Sequence, residues 1–355
     1  MRELERFAQR FRRRAEENLQ RELLRGEEEL GPFVLARLSY QEVAAAFALK
    51  RVLLEEFAGA KLEELYECEE RENELGRVLR LVAFHPELPA LPDRHQAERL
   101  IASELRLLWG VGPSTAARLR AQGYTALTEL VSHPRFGPQA QAILEDLQAG
   151  DLSRLLGRIC RFFPQSHPLA LSLLGLVRPE RLVLFDLESL GLFGRPLVLL
   201  GLARPHDGGL LIEQYVIRSI VEEQAALVEA ARALERAEAL VTYNGRAFDL
   251  NYLEERLSYY GLDGMCRPRP RPNFDLLHHV RRRFGGLLPD CRLETVERYL
   301  LGLERAIDVP SALVPDFYNT YLEEQNVGPL VAIIEHNRQD LASLARLLGR
   351  LRPPS

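Results

Sequence analysis

The sequence predicts an α/β fold with a mixed sheet flanked by helices, preceded by a mainly helical N-terminal half. Three observations carry this. From Arg181 onward, RLVLFDLES, LVLLGLARP and LLIEQYVI are successive strand-type runs, and the last two are separated by a Pro-His-Asp-Gly-Gly turn, so the three form an antiparallel meander. An amphipathic stretch from Val221 to Ala239, the short apolar run ALVTYN and a second helical stretch from Phe248 to Tyr260 then alternate helix with strand. Before Pro164, helical periodicity broken by glycine and proline dominates.

Taken in order, the chain opens with a charged amphipathic helix, MRELERFAQRFRRRAEENLQRELL, followed by an Ala/Leu-rich helix from about Tyr40 to Phe57. Residues Leu62 to His85 alternate more like a pair of strands, with Glu72-Asn73-Glu74-Leu75-Gly76 as the turn. Pro86, Pro89 and Pro92 break the chain, and Gln96 to Leu156 is helical again. A proline-punctuated segment from Pro164 to Pro179 links this to the α/β part, in which a further strand ends near Phe274 and helices run to the C-terminus. Three regions are expected: 1–95, helical with a small strand pair; 96–175, helical with a linker; and 180–352, the α/β domain.

Composition bounds the function. A chain of 355 residues suggests two or three domains, and 46% apolar with 27% charged residues excludes wholesale disorder. Only Lys50 and Lys61 among the 46 basic residues are lysines, so positive charge is almost all guanidinium, suited to bidentate phosphate contacts. A formal net charge of -5 excludes coating nucleic acid by bulk charge, which leaves local patches. Cys68, Cys160, Cys266 and Cys291 are scattered with no metal-type spacing and read as reduced thiols. No apolar stretch is long enough to span a bilayer and the N-terminus lacks a signal-type apolar core, so a cytoplasmic protein is expected.

Carboxylates carry the chemistry. Asp186 and Glu188, two apart at the end of the first α/β strand, leave the same face. Two acids in a buried strand repel and desolvate at high cost unless a cation holds them; the plainer alternative is that the strand stops at Phe185 and both are solvated. Asp249 follows ALVTYN through Asn244-Gly245-Arg246 and lies near a helix start, where an acid is also an ordinary dipole partner. His336 and Asp340 are i,i+4 in a C-terminal helix, either a surface pair or one face of a site. Four carboxylates in one cleft suit two Mg²⁺ or Mn²⁺ ions, which can bind a phosphodiester and activate water.

The combination is more specific than any part. FDLESLGL, LVTYNGRAFDLNYLEERL, FDLLHHVRRRF, DVPSALVPDFYNTYL and EHNRQDLASLARLL resemble the DEDD exonuclease superfamily, and more narrowly the YprB-like ribonuclease H-like proteins. The resemblance covers about Arg181 to Leu351. It implies a ribonuclease H-like fold, a 3′–5′ exonuclease with two divalent ions, Asp186, Glu188, Asp249 and Asp340 as metal ligands, and His336 as the water-activating residue. A neutral imidazole suits that role. Two departures stand out: the H-x-x-x-D spacing is that of the tyrosine class, and Ser189 and Leu190 replace the threonines of D-x-E-T-T-G, where the terminal nucleotide is gripped.

Other candidates are weaker. Asn244 either contacts substrate and orients Asp249 or simply ends the strand in an Asn-Gly turn. Asp275 is expected to cap the next helix rather than serve as an outer carboxylate. His278 and His279 point apart on a helix. Arg267, Arg269 and Arg271, with Arg281, Arg282 and Arg283, form the best basic patch for a phosphate backbone, or a solvated loop and helix face. LLWGVGPSTAARLRAQGYTAL resembles a helix-hairpin-helix module. There Gly110 and Gly112 allow close backbone approach, Ser114 or Thr115 caps a helix whose positive end attracts phosphate, and Arg118 and Arg120 add contacts. The alternative is a hairpin that merely packs, with Trp109 as core. Arg10, Arg12, Arg13 and Arg14 extend a nucleic-acid track or solvate a helix. The partner expected is nucleic acid, DNA before RNA, and no membrane; the competing reading is a nucleic-acid-binding scaffold that does not cut.

Overall fold

The computed structural model describes residues 38–192, 194–264, 272–305 and 307–352. The N-terminal charged helix with Arg10, Arg12, Arg13 and Arg14, and the Arg267, Arg269, Arg271 and Cys266 segment, lie outside the described residues.

Helix α1 (Tyr40–Glu56) starts at Ser39 in a capping box, with Glu42 N donating to Ser39 Oγ and Ser39 N to Glu42 Oε2. Strands β1 (Cys68–Asn73) and β2 (Gly76–His85) follow as an antiparallel hairpin. Leu62–Leu65 is a helical turn, so the strand pair begins six residues later than the sequence suggested. Helices α2 (Arg94–Ala102), α3 (Pro113–Ala121), α4 (Gly137–Ala149) and α5 (Leu152–Phe162) fill the middle of the chain. The meander is present as β3 (Leu182–Ser189), β4 (Leu197–His206) and β5 (Gly209–Val216). After it come α6 (Glu223–Glu235), β6 (Ala239–Thr242), α7 (Asp249–Tyr259), β7 (Asn273–Asp275), α8 (Leu276–Phe284), α9 (Val314–Glu324) and the 24-residue α10 (Gly328–Leu351).

The seven strands among the described residues form one mixed sheet in the order β1-β2-β5-β4-β3-β6-β7, with β6 parallel to both β3 and β7. The N-terminal hairpin is therefore part of the α/β sheet, its β2 pairing antiparallel with β5 from Leu79↔Val216 to His85↔Leu210. A two-stranded hairpin is marginal alone, and Leu79 and Leu81 gain burial only by joining the core over β5.

β3 alternates strictly. Leu182 and Leu184 pack with Leu341 and Leu344 of α10, whereas Val183, Phe185 and Leu187 pack under Ala226 and Ala230 of α6. Burial on both faces explains the unbroken apolar run, and α10 is apolar nearly all round because it lies between the sheet, α1 and α9. The core over the α10 face continues through Ile101, Leu105 and Leu173 of the helical middle section. Among the described residues no helix is long and apolar enough to cross a membrane.

Candidate active site

Asp186 and Glu188 stand at the C-terminal end of β3 and, by the alternation above, on the face that α10 covers. The strand does not stop at Phe185, and a register irregularity between Glu188 and Ser189 bends its end. Asp249 is the first residue of α7, and its Oδ1 accepts Leu187 N at 3.2 Å, tying the start of that helix to β3. The turn leading into α7 is held from β7. Asn244 takes a left-handed backbone (φ 63°), and Asp275 accepts Asn244 N at 2.8 Å and Arg246 N at 3.2 Å. Asp275 also caps α8 through Leu277 N, as expected.

Helix α10 contributes His336, Asn337 and Asp340 within about one turn. Asn337 Nδ2 donates to Asp186 Oδ2 at 2.8 Å. His336 is 2% exposed; its Nδ1 lies 2.9 Å from Asp308 Oδ1, and its Nε2 lies 3.8 Å from Glu188 Oε1 and 3.7 Å from Asp340 Oδ2. The buried Arg305 donates to Asp340 Oδ1, to Asp308, and through Nε and Nη2 to both oxygens of Glu297. Asp186, Glu188, Ser189, Leu190, Asn244, Asp249, His336 and Asp340 all line one cleft of about 1110 Å³, with Arg195, Arg281 and Arg292 on its walls.

The charges on the floor are unequal. Burial, reinforced by Asp340, Asp249 and Glu188, pushes the Asp186 carboxyl well above the usual carboxylate range. Burial raises Glu188 to about 7 against the pull of His336, and raises Asp249 to about 8 against its backbone hydrogen bonds. His336 moves the other way for a base: burial would lower it, but Asp340, Asp308 and Glu188 hold its proton up to about 10. Asp308 is held below the usual range, since the His336 hydrogen bond and nearby Arg305 outweigh its burial.

Asp186, Glu188 and Asp249 have no arginine or lysine bridge among the described residues. An oxygen-only set of mutually repelling carboxylates, Glu188 and Asp249 buried and Asp186 half-buried, matches the chemistry of Mg²⁺ or Mn²⁺. The fit is one of donors rather than finished geometry, because among the described residues no three His, Cys, Asp or Glu side chains stand as a ready-made metal site.

The hairpin residues lie elsewhere. Gly110 (φ 82°) and Gly112 precede α3, but Leu105–Leu107 is a single 3₁₀ turn where a full first helix was expected. Gly112 is the N-cap with Pro113 at the first helical position, so Ser114 and Thr115 are inside the helix and cap nothing. Trp109 is 68% exposed and is not core. Arg120 donates to Ser103 O at 3.4 Å, and the Arg135 guanidinium lies beside Gly110. His279 is buried while His278 is only half-buried, so the two do point apart. Arg283 is committed to the carbonyls of Arg350 and Arg352.

Sequence reasoning missed Asp308, Arg305, Asn337 and Glu297. Asp308 begins one of the family-like segments, and Asn337 lies inside another, so proximity to those segments was the available signal.

The chain is similar to the following known proteins. Residues 183–352 match the family described as RNase_H superfamily. The uncharacterized protein YprB of Bacillus subtilis (strain 168) is 32% identical over 171 residues, which is 47% of this chain and 41% of that protein. The chain thus spans less than half of that relative's length. A family B DNA polymerase from the hyperthermophilic archaeon Pyrobaculum calidifontis aligns with a TM-score of 0.40 at 20% identity, over 49% of this chain and 25% of the polymerase. Residues 183–352 thus form a ribonuclease H-like domain that is similar in sequence to YprB.

Proposed function

We propose that this domain is a divalent-cation-dependent nuclease, a DEDD-type 3′–5′ exonuclease acting on DNA before RNA. The observation that carries the reading is the trio Asp186, Glu188 and Asp249, the last two buried, which has no arginine or lysine bridging it among the described residues. Such a cluster is costly unless a cation completes it, and a scaffold that does not cut has no use for that cost.

Asp186, Glu188 and Asp249 would hold the ions, with Asp340 joining them. When bound, a pair of divalent cations supplies charge to both ends of a scissile phosphodiester and acidifies the attacking water. His336 presents Nε2 towards Glu188 and Asp340 while Asp308 fixes the ring through Nδ1. Charge neutralisation at the carboxylates removes what holds the imidazole proton, which frees Nε2 to accept one from water. Ser189 and Leu190 at the mouth of the cleft contact the terminal nucleotide, and Asn244 contacts the substrate beside Asp249. Arg195, Arg281 and Arg292 give the walls a charge suited to phosphate.

The Gly110–Gly112 turn with Arg118 holds the backbone of the same nucleic acid at a distance from the cleft. The 3′–5′ polarity rests on the family resemblance. Digestion of strands labelled at one end, with and without Mn²⁺, tests the reading: shortening from the 3′ end that needs the cation supports it.

A further inference from the structure

Counter-charge within the cluster is concentrated on one member. Both oxygens of Asp340 face a cation: Oδ1 accepts from Arg305 Nη2, and Oδ2 lies 3.7 Å from His336 Nε2. Among the described residues Asp186 and Asp249 have no such partner, and Glu188 has only His336 at 3.8 Å. Arg305 itself is anchored independently of Asp340. Its Nε and Nη2 donate to the two oxygens of Glu297 at 2.6 and 3.1 Å, and Ser343 Oγ holds Glu297 at 2.5 Å from the other side. Letting go of Asp340 would therefore not strand a buried guanidinium, the outcome that makes breaking a buried pair expensive.

We propose that Arg305 is an internal counter-ion that competes with a divalent cation for Asp340. In the cation-free protein Arg305 neutralises Asp340; on loading, Asp340 passes to the cation and Arg305 stays on Glu297 and Asp308. This rests on the divalent-cation reading of the cleft. It makes Arg305 a residue that sets cation affinity rather than one that touches substrate. The sign follows from electrostatics, since a positive group beside a carboxylate weakens its attraction for a second cation.

The test is calorimetric titration of the full chain with MnCl₂, together with melting curves at zero and saturating Mn²⁺, for wild type, Arg305→Gln, Arg305→Lys and Asp186→Asn. Arg305→Gln is expected to bind Mn²⁺ about tenfold more tightly than wild type and to gain a larger Mn²⁺-dependent rise in Tm. Arg305→Lys, which keeps the charge, is expected to stay within about threefold of wild type. Because Arg305→Gln leaves Glu297 buried without its partner, the double variant Arg305→Gln, Glu297→Gln provides a second route, with the same tightening expected. Equal or weaker Mn²⁺ binding by both neutral variants, with Asp186→Asn still abolishing it, would overturn the competition and leave Arg305 as a holder of Asp340. Absence of Mn²⁺ binding to wild type and every variant would instead defeat the cation reading, and this inference with it.

Discussion

Asn337 Nδ2 donates to Asp186 Oδ2 at 2.8 Å, and the sheet register explains why that amide faces the right way. Asp186 on β3, Gly201 on β4 and Gln214 on β5 lie in one row across the sheet. Gln214 Nε2 donates both to the Ile334 carbonyl, which can only accept, and to Asn337 Oδ1, each at 2.9 Å. The carbonyl fixes the Gln214 amide, Gln214 fixes Asn337, and Asn337 is left with its NH₂ towards Asp186. Gly201 leaves the room, since a Cβ there would overlap the Asn337 amide.

Gly201→Ala is therefore expected to displace Asn337 without altering any polar group. Overpacking plus the lost hydrogen bond to Asp186 should cost about 2–4 kcal/mol in urea unfolding, and nuclease activity should fall along with it. Unchanged stability and rate would make the relay incidental.

The pH dependence of stability should run opposite to that of an ordinary acidic protein. Glu188 and Asp249 have folded values of about 7 and 8, above their unfolded ones. The stability from their protonation is full below about pH 4 and is lost as pH rises through 7 and 8. His336, raised from 6.5 to about 10, adds stability that is full below 6.5 and lost as pH passes 10. Melting of the cation-free protein should thus fall steadily from pH 5 to 9, and Mn²⁺ should flatten the slope. A rising Tm over that range in EDTA would contradict the unpaired state of the trio. Asp186→Asn should raise the cation-free Tm at pH 8, by at least about 1 kcal/mol of stability, while abolishing activity.

Asp308 tests the imidazole. Asp308→Asn removes the carboxylate behind Nδ1 and should lower the His336 pKa as well as loosening the ring. The rate should drop on the order of a hundredfold or more, as when the acid behind a catalytic histidine is neutralised, and the pH–rate profile should shift to lower pH. A loss of rate with an unmoved profile would mean that Asp308 serves only the fold.

The hairpin predicts a separable effect. Arg118→Ala should weaken binding of nucleic acid uniformly across sequences and reduce the slope of log K against log salt by about 1. Gly110→Ala, which forces a left-handed backbone on a residue with a Cβ, should weaken binding further. Unaltered binding by both would mean that this turn merely packs.

Much of the fold was legible because it is local. The strand runs of the meander, the turn before Asp249 and the long C-terminal helix each announce themselves within about ten residues. The order of the acids along those elements then made the site legible. Long-range pairings were not visible. Arg305 meets Asp340 across 35 residues, and Gln214 meets Asn337 across 123, with no period linking them. The hairpin of β1 and β2 was seen as strands, yet its partner β5 lies more than 100 residues on. Trp109 misled because a large aromatic is usually core, whereas this one projects from the turn before α3.

The most direct measurement is cleavage of 3′- and 5′-labelled single-stranded and duplex DNA and RNA, in Mn²⁺ or EDTA, by wild type and Asp186→Ala. The account predicts stepwise shortening from the 3′ end in Mn²⁺ only, reduced about 10³-fold or more in the variant because several kcal/mol of transition-state stabilisation is lost. Binding without cleavage in every condition, or cleavage that Asp186→Ala retains, would contradict it.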